Sequence, residues 1–125
     1  MSDLLWQLGA METAELISKK DVSTREVIKN HLERFTEVNP KINAITRSLN
    51  DEAMEMAVLA DEKISRNEQI GPLHGVPVTI KDNVDITGQS SPNGVSKLKD
   101  NLAPANSPVV DNLLKAGAIP IGRTN

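Results

Sequence analysis

Apolar residues recur at helical spacing through roughly the first half of the chain and contract into short β-rich runs thereafter. Glu12 to Lys19 reads as a short helix. Ser23-Thr24-Arg25-Glu26 has the spacing of a capping box, in which hydroxyl and carboxylate each satisfy an orphan amide at a helix start. Val27, Ile28, Leu32, Phe35 and Val38 then form an apolar stripe of helical period. Asn39-Pro40 is expected to stop that helix, because proline disfavours helical backbone in the residue before it. A brief strand is expected over Ile42 to Thr46, then a third helix from about Asn50 to Arg66. Ala53, Ala57, Ala60 and Ile64 share one face of that helix. Three alanines on one face permit close approach of a neighbour, so this face reads as packing.

The later pattern is different. Val76-Pro77-Val78-Thr79-Ile80 is a short run of the buried-strand kind. Ser107-Pro108 offers an N-cap and a first-turn proline. The helix it opens should turn Val109, Val110, Leu113 and Leu114 inward and end at Gly117. Ala118 to Ile121 reads as a second buried strand, and strand, helix, strand makes a parallel βαβ unit. Between Lys81 and Ser107 the secondary-structure signal is weak over a stretch long enough to be functional or disordered.

Composition sharpens this division. Of seven glycines and seven prolines, six of each lie in residues 71–125. Residues 1–70 carry 9 basic and 13 acidic groups, against 5 and 4 in the remainder. The expected organisation is an N-terminal helical segment, 1–70, followed by an α/β segment, 71–125, both parts of one incomplete domain. The fold class is α/β, with helices preceding the first βαβ of a mixed α/β sheet. The Ile119–Ile121 strand has no evident element to cover its second edge, so apolar strand edges should be exposed.

Several chemistries drop out. The 125 residues contain no cysteine and only two histidines, His31 and His74. Thiolate, disulfide and zinc sites therefore lack ligands, and no cofactor is expected. A net charge of −3, with Trp6 and Phe35 the only aromatics, argues against direct nucleic-acid binding. No apolar run approaches the ~18–20 residues that span a bilayer. Met1-Ser2-Asp3 carries no positive side chain ahead of the short apolar stretch, unlike a secretory leader. A cytoplasmic chain without membrane contact is expected.

Lys81 is the first charged residue after the Val76–Ile80 strand, at the end where open α/β sheets bind ligands. On one reading it snorkels from a strand end beside a solvated Asp82. On the other it is desolvated; burial disfavours the ammonium and yields an amine able to act as a general base. Asp82 would oppose this only if its carboxylate lay close, and adjacent strand residues face opposite sides.

The segment Gly71-Pro72-Leu73-His74-Gly75-Val76-Pro77-Val78-Thr79-Ile80-Lys81-Asp82-Asn83 resembles the lysine-bearing segment of the amidase signature family. Ser107–Val110, Lys115–Ala118 and Ile121–Asn125 are similar to that family in the same order, as are Leu5–Leu8 and Asn39–Ala44. The resemblance implies a Ser–cis-Ser–Lys triad hydrolysing amides of small molecules, with Lys81 as its base. Nothing in the chain resembles the family's Gly-Gly-Ser-Ser-Gly-Gly stretch. Ser90-Ser91, before Pro92, reads as turn chemistry. His74 reads as a backbone-bonding loop residue, and His31 as packing or surface. The resemblance implies an N-terminal portion of an amidase, inactive alone, whose partner is the rest of that enzyme or a second copy in a homo-oligomer. Two other readings stand: part of the amidotransferase that works on misacylated transfer RNA, or a non-catalytic relic acting through a partner.

Overall fold

The computed structural model describes residues 2–125, so Met1 lies outside the described residues. A 3-10 turn over Ser2–Gln7 leads into α1 (Ala10–Ser18) and α2 (Thr24–Ile42). β1 (Ile45–Ser48), α3 (Asn50–Ser65), β2 (Pro77–Lys81), α4 (Pro108–Lys115) and β3 (Ile119–Thr124) follow.

The capping box forms as its spacing predicts. The Ser23 hydroxyl accepts from the Glu26 amide at 3.1 Å, and the Ser23 amide donates to Glu26 Oε2 at 2.8 Å. A second cap comes from another helix. Asp61 of α3 accepts from the Thr24 amide at 2.6 Å and from Arg25 Nε at 2.9 Å. A carboxylate at a helix N-terminus also meets the favourable end of its dipole, so this contact fixes α2 against α3.

Asn39-Pro40 does not stop α2. Pro40 lies in the last turn, where its missing N–H forfeits only the bond to the Thr36 carbonyl, and the helix runs on to Ile42. Asn43, in the left-handed region at φ 47°, ends it with its amide on the Asn39 carbonyl at 2.7 Å. The Asn39 amide side chain then brackets Ile45, accepting from its N–H at 2.9 Å and donating to its carbonyl at 3.0 Å. This clamp sets the strand start at Ile45 instead of Ile42, and Ile42 remains helical and exposed.

The sheet has the order β1-β3-β2, with β3 antiparallel to β1 and parallel to β2. The parallel βαβ unit is as expected. The second edge of β3, expected to be bare, is covered by β1, whose residues come from before position 70. One sheet therefore draws on both compositional segments. Pattern reading missed this because β1 is four residues long and mostly exposed.

Two apolar clusters hold the layers together. Ala53, Ala57 and Ala60 of α3 pack with Ile28 and Leu32 of α2 and with Ile119 and Ile121 of β3. The alanine face thus lets a helix and a strand approach from two sides. Ile64 falls outside this group and packs instead with Leu5, Ile17 and Val27. In α4 only Val110 is fully buried. Leu113 and Leu114 are half-buried and Val109 is exposed. Successive helical residues lie about 100° apart around the axis, so a helix packed along a single line cannot bury both valines.

Gly117 ends α4 at φ +95°, and a Cβ there would lie 2.6 Å from His74 Cα. Gly88, at φ +76°, has open space around it. Gly88→Ala should therefore cost strain alone, about 1 kcal/mol. Gly117→Ala should add a backbone clash and lose roughly 2 kcal/mol or more. Urea unfolding of both variants checks this, and equal losses would show that the His74–Gly117 approach is not tight.

Candidate active site

Lys81 is the last residue of β2, paired with Thr124 in the parallel ladder. The Asp82 amide still donates to the Thr124 carbonyl at 2.8 Å, and the Val84 amide then folds back onto the Lys81 carbonyl at 3.0 Å. The chain leaves the sheet here. The Lys81 side chain is exposed, and its Nζ donates to the main-chain oxygen of Asn125 at 2.8 Å. Among the described residues no Asp or Glu side chain forms an ion pair with it.

Asp82 takes a different direction. It lines a cleft of about 370 Å³ together with Thr46, Arg47, Ser90, Lys99 and Arg123, and Lys81 is not among the lining residues. No ion pair joins Lys81 to the adjacent Asp82 among the described residues.

The long segment after Lys81 is tied rather than structureless. Gly88 donates to the Ala103 carbonyl and Ala103 to the Gln89 carbonyl, each at 2.9 Å. Ser90 and Leu102 form an isolated bridge. Asn106 accepts from the Thr87 amide at 2.7 Å and donates to Asp111 at 3.0 Å, joining the loop to the first turn of α4. These are local and side-chain closures with no hydrophobic period, which is why the pattern carried little signal.

Arg123 is the feature that sequence reasoning missed. It sits on the central strand, 1% exposed, with its guanidinium directed at the segment that follows β2. Nη2 donates to the carbonyls of Val84 at 2.6 Å and Lys81 at 3.3 Å. Nη1 donates to Gln89 Oε1 at 3.0 Å and to the Ser90 carbonyl at 3.5 Å. Burial weakens its hold on its proton; Asp82 opposes this, Arg47 adds to it, and Asp85 opposes it. The available signal was an arginine directly following the run Ile119–Gly122 in a strand read as buried.

The remaining candidates take structural places. His74 is buried, with Nε2 2.9 Å from the Ala60 carbonyl, as a backbone-bonding loop histidine should be. His31 places Nδ1 2.8 Å from the Val27 carbonyl within α2. Burial lowers its pKa, and that bond partly opposes the shift. The Ser90 carbonyl is held by Arg123, while the Ser91 hydroxyl is buried without a partner among the described residues. The Lys81 amine bonds to Asn125 and to neither of these serines. The described residues contain no cluster of three His, Cys, Asp or Glu side chains able to hold a metal ion, and no helix long and apolar enough to cross a membrane.

The mixed α/β arrangement of helices and sheet is one that comparison with known proteins finds again. The amidase family model matches residues 26–125, and the chain belongs to the amidase signature family. It is 46% identical over 121 residues to an indoleacetamide hydrolase of Bradyrhizobium diazoefficiens, covering 97% of this chain and 23% of that protein. It is 40% identical to a glutamyl-tRNA(Gln) amidotransferase subunit of Thermoanaerobacter pseudethanolicus, covering 97% of this chain and 25% of that one. Among solved structures, a bacterial aryl acylamidase of the amidase signature family superposes with a TM-score of 0.89 at 30% identity, over 94% of this chain and 25% of that one. A fatty acid amide hydrolase does so with a TM-score of 0.94 at 25% identity, over 99% and 22%. The chain thus spans about a quarter of the length of the curated relatives it matches.

The structural assignment of His74 has a direct consequence. His74→Leu removes the second donor of the Ala60 carbonyl, which keeps its helical donor inside α3, and should lower unfolding stability by about 0.5–1.5 kcal/mol. Chemical denaturation measures it; an unchanged midpoint would mean that the bond contributes nothing to the fold.

Proposed function

We propose that these 125 residues supply the lysine base, Lys81, of a Ser–cis-Ser–Lys amide hydrolase acting in the cytoplasm on a small-molecule amide without a cofactor. The observation that carries this reading is the position of Lys81. The lysine-bearing segment ends β2 at the carboxyl end of a parallel strand, with the amine exposed and bonded to the main-chain oxygen of Asn125.

In the proposed reaction Lys81 accepts a proton from a bridging serine, which in turn accepts one from the nucleophilic serine. The nucleophile attacks the amide carbonyl carbon, and the C–N bond breaks as the departing nitrogen takes up a proton. Water then attacks the acyl-enzyme ester, releasing the acid and restoring the serine. Both serines are proposed to lie in polypeptide beyond these 125 residues, consistent with the quarter of each relative that the chain covers. That polypeptide would also cover Lys81 and remove its ammonium from water.

A second reading is favoured by the 40% identity to a glutamyl-tRNA(Gln) amidotransferase. Under it, the same lysine would serve an amide hydrolysis whose ammonia is delivered to misacylated transfer RNA within a multisubunit assembly. Ammonia release that depends on added transfer RNA distinguishes the two.

The 125-residue chain should show no amide hydrolysis above background. In the enzyme completed by the serine-bearing polypeptide, Lys81→Ala should lower kcat by about 10²–10⁴, the usual contribution of a general base. Lys81-dependent turnover by the chain alone, or near-normal turnover by the completed variant, would overturn the assignment.

A further inference from the structure

Arg123 does more than fill the core. Its guanidinium meets four acceptors spread over Lys81, Val84, Gln89 and Ser90. All four lie at the end of β2 or in the segment that leaves the sheet after it. Burying a guanidinium is unfavourable unless charge-assisted bonds replace its water. Here Nη1 and Nη2 do so by gathering residues 81–90 around one planar fork, while Nε is buried without a partner among the described residues. Lysine, with a single compact ammonium, could not satisfy four divergent acceptors.

The Lys81 carbonyl is the critical member of this set. It accepts from the Val84 amide at 3.0 Å and from Arg123 Nη2 at 3.3 Å. The Asp82 amide is meanwhile held by the Thr124 carbonyl at 2.8 Å. Both polar atoms of the peptide group that follows the Lys81 Cα are therefore bonded to β3, so the direction in which its Cα–Cβ bond leaves the strand is fixed from the main chain. The neighbouring residue reinforces the anchor: a Cβ at Gly122 would lie 2.7 Å from Ile45 Cγ2, so β3 sits close against β1 at this level.

We infer that Arg123 is a positioning residue for the Lys81 amine, acting through the Lys81, Val84, Gln89 and Ser90 acceptors. This rests on the reading of Lys81 as a base only for its catalytic consequence; the conformational part stands independently. In the 125-residue chain, Arg123→Lys should accelerate hydrogen exchange at the Val84 and Ala103 amides about tenfold or more and leave the α2 and α3 amides unchanged. The Lys81 side-chain resonances should shift in the same variant. Gln89→Met, which removes one acceptor and keeps the guanidinium, should loosen the same amides to a smaller extent and serves if Arg123→Lys fails to fold. In the completed enzyme, Arg123→Lys should lower kcat by on the order of 10–100-fold with little change in KM, as a small misplacement of a reacting group does. Unchanged exchange and unchanged Lys81 resonances in both folded variants would overturn the proposal. So would an equal loss of protection throughout the chain, which would make Arg123 a global stabiliser. If exchange changes locally while Lys81→Ala turns over normally, the positioning holds and the reading of Lys81 as the base fails.

Discussion

The structure depends on β3 being paired along both edges. Its antiparallel edge takes up β1 from the helical half of the chain, and its parallel edge takes up β2. Its apolar face, through Ile119 and Ile121, meets the alanine stripe of α3 and the buried face of α2. Removing this strand would leave two isolated strands and two helix faces with nothing to pack on, since a two- or three-stranded unit is stable only with an apolar face covered. The Arg123 guanidinium, carried by the same strand, extends that organising role from the sheet to the loop beyond it.

Much of this was legible in the residues. The capping box at Ser23, the alanine face of α3, the Ser107 cap and the parallel βαβ unit follow from local chemistry and period, and the structure has each of them. The misses share a cause. Pro40 is tolerated because a helix's last turn has few bonds left to lose, and the Asn39 side chain, not a propensity, decides where β1 starts. Four mostly exposed residues pairing with a strand far along the chain leave no periodic trace. Asp61 capping α2 is likewise a contact between elements, invisible to a window along the chain.

The candidate site divides in the same way. Lys81 was found because a charged residue at a strand end lies in a long, specific segment of family likeness. Its exposure could not be read, because burial depends on what packs over it. Arg123 lay in a likeness segment too, yet nothing local marks an arginine as a buried hub. Only the fold brings the Gln89 side chain and three loop carbonyls to its guanidinium.

The proposed picture is of a lysine whose main chain is bonded to β3 and whose amine would serve a serine pair in the rest of the enzyme. The most direct measurement is the rate at which an active-site serine in the completed enzyme is labelled by a fluorophosphonate, with and without the Lys81 amine. A base that activates the nucleophile predicts a steep fall in labelling rate for Lys81→Met, with the protein still folded. Labelling at the unaltered rate would contradict the role assigned to Lys81.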